Sequence, residues 1–129
     1  MINALNSIEV VTLFVDDLDA TKAFYLRVFA ARIVFEDDVS AVFKFQNLMI
    51  NLLKVSSAQE LVEPQRPGVR ESGVRFLPTF LVTDVSAVCE ELAQHGVKLL
   101  NGPVDRPWGR RTAAFADPAG NVWEIAQEL

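Results

Sequence analysis

The sequence predicts an α+β fold built from two βαβββ modules, and three features of the chain support it. The first is an internal echo. Val10-Val11-Thr12-Leu13-Phe14-Val15-Asp16-Asp17-Leu18 returns as Leu77-Pro78-Thr79-Phe80-Leu81-Val82-Thr83-Asp84-Val85, with Thr12/Thr79, Val15/Val82 and Asp17/Asp84 in register at a constant spacing of 67 residues. The second is that each copy alternates as a strand does and ends in an aspartate, whose carboxylate can accept from a free backbone N–H in the first turn of a helix. The third is the order of segments after each copy: an amphipathic stretch, then three short apolar runs. A repeat of supersecondary units points to a site formed where two such modules face one another.

Taken in order, the first strand falls at about residues 8–15, and Asp16 or Asp17 caps a helix over about 19–29 in which Phe24, Tyr25 and Val28 recur at helical spacing. Strands come next near 32–35, 41–45 and 49–55, the last two joined as a hairpin around Gln46-Asn47. Residues 56–74 carry Pro64, Pro67, Gly68 and Gly73 among mixed charges without periodicity, and form a linker that is either a tether or a lid. The second module occupies about 75–129: a strand at 75–82, a helix capped by Asp84 and stopped at His95-Gly96, and strands near 99–100, 112–115 and 122–127. With module one at about 7–55, the chain is a single domain over 1–129.

Composition narrows the function. The chain has a net charge of −5 and its lysines and arginines are scattered, so it lacks the basic stripe that nucleic acid or an anionic membrane would require. No run approaches the about 20 apolar residues that span a bilayer, and the opening Met1-Ile2-Asn3-Ala4-Leu5-Asn6-Ser7 has no basic segment leading into an apolar one. The expectation is a cytoplasmic protein whose partner is a small organic molecule. Cys89, the one cysteine, lies in a helical pattern and reads as a buried, inert thiol. His95, the one histidine, sits at a helix C-terminus, where compensating the helix dipole or facing solvent is the plainer role.

The βαβββ repeat, the Asp-led helix carrying Phe24-Tyr25, and the closing Asp117-Pro118-Ala119-Gly120-Asn121-Val122-Trp123-Glu124-Ile125 together resemble the vicinal oxygen chelate superfamily. That superfamily includes glyoxalase I, extradiol dioxygenases, fosfomycin-resistance enzymes and bleomycin-resistance proteins, and the resemblance covers nearly the whole chain. It implies that the modules form a curved mixed β-sheet cup with helices on the outer face. It also implies four metal-binding stations, usually histidine on the first strand of each module and glutamate on the last. The matching positions are Val10, Asn51, Leu77 and Glu124. Valine and leucine offer no lone pair, whereas a catalytic metal needs about three protein ligands and an open position, so the expectation is a degenerate site with no metal and no cofactor. Glu9 adjoins Val10, but strand alternation sends it to the other face.

By the same alternation, Val10, Thr12 and Phe14 line the inward face of the first strand and Leu77, Thr79 and Leu81 that of its repeat, with Phe43 or Phe45, Asn51 and Glu124 added from other strands. Such a face is an apolar and aromatic cup with a few polar points, suited to a flat or greasy ligand oriented by hydrogen bonds and one negative charge. The plainer reading is that these side chains only fill a core. Asn101-Gly102-Pro103-Val104-Asp105-Arg106-Pro107-Trp108-Gly109-Arg110-Arg111 reads as a binding loop, in which Trp108 is a candidate stacking surface and Arg110 and Arg111 are candidate ligand contacts. If Arg111 pairs with Glu124, the site is neutral and a cationic ligand loses its anchor.

Two functional classes fit these residues. One is a metal-independent binding protein resembling the bleomycin-resistance branch, a twofold homodimer that sequesters a drug or secondary metabolite. The other is a glyoxalase-like lyase or isomerase, or a dioxygenase-type enzyme, with an atypical or absent metal site and Glu124 as its catalytic group. An interaction module with no small-molecule role is a third, and a closed or filled cup would mark it.

Overall fold

The computed structural model describes residues 1–129 and divides into two compact units, Met1–Gly68 and Val69–Leu129. The first contains β1 (Val10–Val15), α1 (Leu18–Val28), β2 (Arg32–Glu36), β3 (Ser40–Lys44), β4 (Met49–Lys54) and α2 (Val55–Val62). The second opens with a 3-10 turn (Arg70–Ser72), then β5 (Thr79–Leu81), α3 (Val85–Gln94), β6 (Leu99–Arg106), β7 (Arg110–Ala116) and β8 (Val122–Glu128). Their sheets have the same topology, β1-β4-β3-β2 and β5-β8-β7-β6, with the first pair of each parallel and the other two antiparallel. The α+β class and the repeated module hold. Each leading strand pairs with the last strand of its own module, so each module forms its own four-stranded mixed sheet.

The 67-residue register extends from sequence into packing. Asp17 Oδ1 accepts from the backbone N–H of Ala20 and Asp84 Oδ1 from that of Ala87, each at 3.0 Å, so both helices are capped in the same way. Leu18 and Val85, the first helical residues, are both buried, as are Tyr25 and Leu92 one register apart on the two helices. The α3 terminus has a second cap, since Gln127 Oε1 accepts from the backbone N–H of Val85 at 2.7 Å.

Each helix covers one face of its own sheet. In the first unit Tyr25 and Phe43 are fully buried with ring centroids 5.5 Å apart, and Phe29 meets Tyr25 edge-on at 4.9 Å. Phe45 joins this cluster, 5.7 Å from Phe29, which places it on the helix side and corrects its expected place in the cup. The reason is parity: Phe43 already faces the helix, and Phe45 lies two residues beyond it. In the second unit Val85, Cys89 and Leu92 are buried with Ala113, Phe115, Trp123 and Ile125, and Phe80 stacks on Trp123 at 5.2 Å. Burial pushes the Cys89 thiol up, away from thiolate chemistry.

Three stretches depart from the sequence-based expectation. The 56–74 linker begins with a true helix, α2, whose Ala58 is fully buried, and ends near the 3-10 turn, so it is not structureless. The leading strand of module two is shorter than 75–82; Pro78 has no N–H for a ladder, although its carbonyl still accepts from Glu124 N at 2.9 Å. The strand expected at 99–100 runs on to Arg106, through Gly102-Pro103, so half of the expected binding loop is an edge strand. An edge strand tolerates proline and irregular pairing, and β6 shifts register between Asn101 and Val104.

Candidate functional site

The closing segment owes its geometry to one buried carboxylate. Asp117 Oδ1 accepts from the backbone N–H groups of Ala119 and Asn121, both at 2.9 Å, while Oδ2 accepts from Asn121 Nδ2 at 3.2 Å. Gly120 takes φ +89°, and the Arg70 guanidinium donates to the Pro118 carbonyl. This fixed turn starts β8 in a register that sets Glu124 beside Thr79 on β5 and Ala114 on β7.

On the face of the second sheet away from α3, Thr79 Oγ1 donates to Glu124 Oε1 at 2.9 Å. Glu124 is half-buried, and its cross-strand neighbour Ala114 is buried. Leu81, 65 % exposed, belongs to the same face. The first sheet presents a counterpart. Thr12 pairs with Asn51, Asn51 with Val42, and Val42 with Phe35, a row across all four strands. There Asn51 Nδ2 donates to Thr12 Oγ1 at 3.4 Å, and Asn51 Oδ1 is buried with no hydrogen-bond partner. Phe14, half-buried, lies two residues along from Thr12 on the same face. Each module thus pairs a threonine on its leading strand with an amide or carboxylate on its last.

The arginines are placed differently from the expectation. Arg111 pairs with Gln127 in register and lies on the α3 side, opposite Glu124. It makes a two-point contact with Asp105, at 2.6 and 3.2 Å, which holds the Asp105 carboxyl below its usual range and raises the guanidinium. The conjectured Arg111–Glu124 neutralisation therefore does not occur. Arg110 does share the Glu124 face, but its guanidinium pairs with Glu128 at 2.7 Å. Arg106, at the end of β6, donates to the buried Thr112 hydroxyl at 3.0 Å and to Asn101 Oδ1 at 3.3 Å. Trp108 is 67 % exposed at the β6–β7 turn, with the Arg106 guanidinium 6.0 Å from its ring centre. No signal in the sequence links Arg106, Thr112 and Asn101, which meet only through β6–β7 pairing.

Stations for a divalent metal fit this chain poorly. Glu124 has a threonine and an alanine as cross-strand neighbours; Asn51 has a threonine and a valine. Val10 and Leu77 are exposed apolar side chains, and no group of three or more His, Cys, Asp or Glu side chains is placed to hold a metal ion. Each unit is left with one threonine hydroxyl and one amide or carboxylate, fewer than the about three protein ligands a catalytic metal needs.

Comparisons with known proteins agree on the fold. The family model described as "Glyoxalase/Bleomycin resistance protein/Dioxygenase superfamily" matches residues 7–125. The chain is 35% identical over 91 residues to "Uncharacterized protein YraH" of Bacillus subtilis (strain 168), covering 69% of this chain and 71% of that one. A glyoxalase-related enzyme from Fulvimarina pelagi superposes with a TM-score of 0.80 at 26% identity, over 96% of this chain and 89% of the other. Lactoylglutathione lyase from Agrobacterium tumefaciens superposes with a TM-score of 0.76 at 24% identity, over 95% and 93%, a likeness of fold alone. No helix of the chain is long and apolar enough to cross a membrane.

Proposed function

Because the chain belongs to the glyoxalase/bleomycin resistance protein/dioxygenase superfamily, we propose that it binds a small organic molecule without a metal, Glu124 taking the ligand's cationic or hydrogen-bond-donating group. The observation that carries this reading is the Thr79–Glu124 pair. Thr79 spends its hydroxyl proton on Glu124 Oε1 and fixes the carboxylate, so the pair faces a ligand with acceptors only. An ammonium or amidinium group matches that pattern. With Arg111 held by Asp105 and Arg110 by Glu128, neither neutralises Glu124. Leu81, exposed and two residues along β5 from Thr79, supplies apolar surface for a flat body, whereas Trp108 stands at the far end of β7.

Calorimetric titration tests the charge preference. Benzamidine, benzamide and benzoate share a shape and differ in charge; benzamidine should bind tightest and benzoate weakest. Equal binding of all three, or tighter binding of benzoate, sinks the proposal. Metal independence is tested separately by elemental analysis after dialysis against zinc, nickel and manganese. Less than about a tenth of an equivalent per chain is expected for a site with so few donors. One equivalent bound through Glu124 would restore the lyase or isomerase alternative.

The functional unit in this reading is a twofold homodimer. Val34 and Phe35 on β2, and Leu77 and Leu100 in the second unit, are large exposed apolar side chains that a self-complementary contact would cover. Light scattering should give about twice the 14.3 kDa chain mass. A mass of one chain at micromolar concentration would reject the dimer.

A further inference from the structure

The two modules repeat a threonine and its partner but not their polarity. In the second unit the pair offers acceptors only. In the first, Asn51 Nδ2 donates to Thr12 Oγ1, so the threonine keeps its own hydroxyl proton for another acceptor, and Asn51 Oδ1 is left as a buried acceptor without a donor. Leaving such a group unmatched costs about 1–3 kcal/mol, which a protein retains when something else completes the bond. The immediate neighbours of the pair are uncharged. Val42 flanks Asn51 in register, and Val10 and Phe14 lie on either side of Thr12 along β1. The charged positions of this face, Arg32 and its partner Lys44, lie one row away on β2 and β3. A cation placed at the pair would lose water without gaining a counter-ion, because the charged groups on this face are themselves cations, and an anion has no proton to give Asn51 Oδ1.

We propose that Thr12 and Asn51 form a recognition point for a neutral amide edge: a lactam, imide or pyridone in which an N–H lies beside a C=O. The ligand N–H donates to Asn51 Oδ1, and the Thr12 hydroxyl donates to the ligand carbonyl. Asn51 is only half-buried as a side chain, and the terminal torsion of an asparagine is soft, so its amide turns toward a ligand without moving β4. This recognition point deepens the binding function proposed above and rests on it, adding an uncharged selection that lies within the first unit.

Nuclear magnetic resonance on the full chain tests it, with 2-pyridone as the probe and N-methyl-2-pyridone, which lacks the N–H, as its control. The side-chain amide signals of Asn51, assigned by their loss in Asn51→Asp, should move with 2-pyridone and stay with the methylated control. Thr12→Val should weaken 2-pyridone by about tenfold, the order of one hydrogen bond, and Thr12→Ser, which keeps the hydroxyl, should restore it. Unmoved Asn51 signals, or equal shifts with both pyridones, overturn the inference. In that event benzamidine shifts at Thr79 and Glu124 in the same sample leave the binding function standing, and their absence removes both.

Discussion

Glu124→Gln should weaken benzamidine by about 1–2 kcal/mol, roughly 5- to 30-fold, while leaving the fold in place. The substitution is close to isosteric, and the glutamine Oε1 can still accept the Thr79 hydroxyl that Glu124 accepts at 2.9 Å, so the β5–β8 contact survives. What disappears is the charge. Glu124 is half-buried as a residue but its bond to Thr79 is exposed, and a fully rim-exposed pair would be worth less than about 1 kcal/mol. Benzamide, which brings no charge, should lose far less in the same variant. Calorimetry on the two proteins gives both numbers; equal losses for benzamidine and benzamide would show that Glu124 contributes shape and not charge.

Gly102→Ala should destabilise the chain by about 2–5 kcal/mol, combining backbone strain with overpacking. Gly102 holds φ +88°, and an added Cβ would lie 2.4 Å from the Thr112 carbonyl oxygen and 2.7 Å from Ala113 Cα. Both are backbone atoms of β7 and cannot swing aside. Gly109 supplies the internal control, since it has φ +87° with nothing within 4 Å of the added atom. Gly109→Ala should therefore show the strain alone, about 1 kcal/mol. Urea denaturation of the two variants separates the terms. Equal costs would mean that β6 moves away from β7 freely and that the close approach is unimportant.

The parts of this molecule that were legible in the sequence are those fixed by local chemistry. Asp17 and Asp84 announce helix starts because a cap is decided within three residues, and the Asp117–Asn121 turn because its bonds close within four. The placement of Thr12 with Asn51 on one face of the first sheet, and of Thr79 with Glu124 on one face of the second, comes from alternation once the strands are found. What alternation cannot give is the register between strands that meet late in the chain. Arg110 and Arg111 are adjacent, and only the pairing of β7 with β8 decides that Arg110 shares a face with Glu124 and Arg111 does not. β6 was hidden because Gly102-Pro103 resembles a loop, and its long-range pairing with β7 outweighs that local preference. The helix at Val55–Val62 was hidden by brevity: one buried residue, Ala58, gives no visible period.

The second unit also places both tryptophans of the chain in contrasting surroundings. Trp123 is 4 % exposed, stacked on Phe80, and is the residue immediately before Glu124; Trp108 stands in solvent at the tip of the β6–β7 hairpin. The protein therefore carries two intrinsic fluorophores that separate by colour and by access. Iodide in solution should quench the red-emitting indole at the hairpin tip and spare the blue-emitting one, so the unquenched light reports, without any label, on the strand that carries the carboxylate.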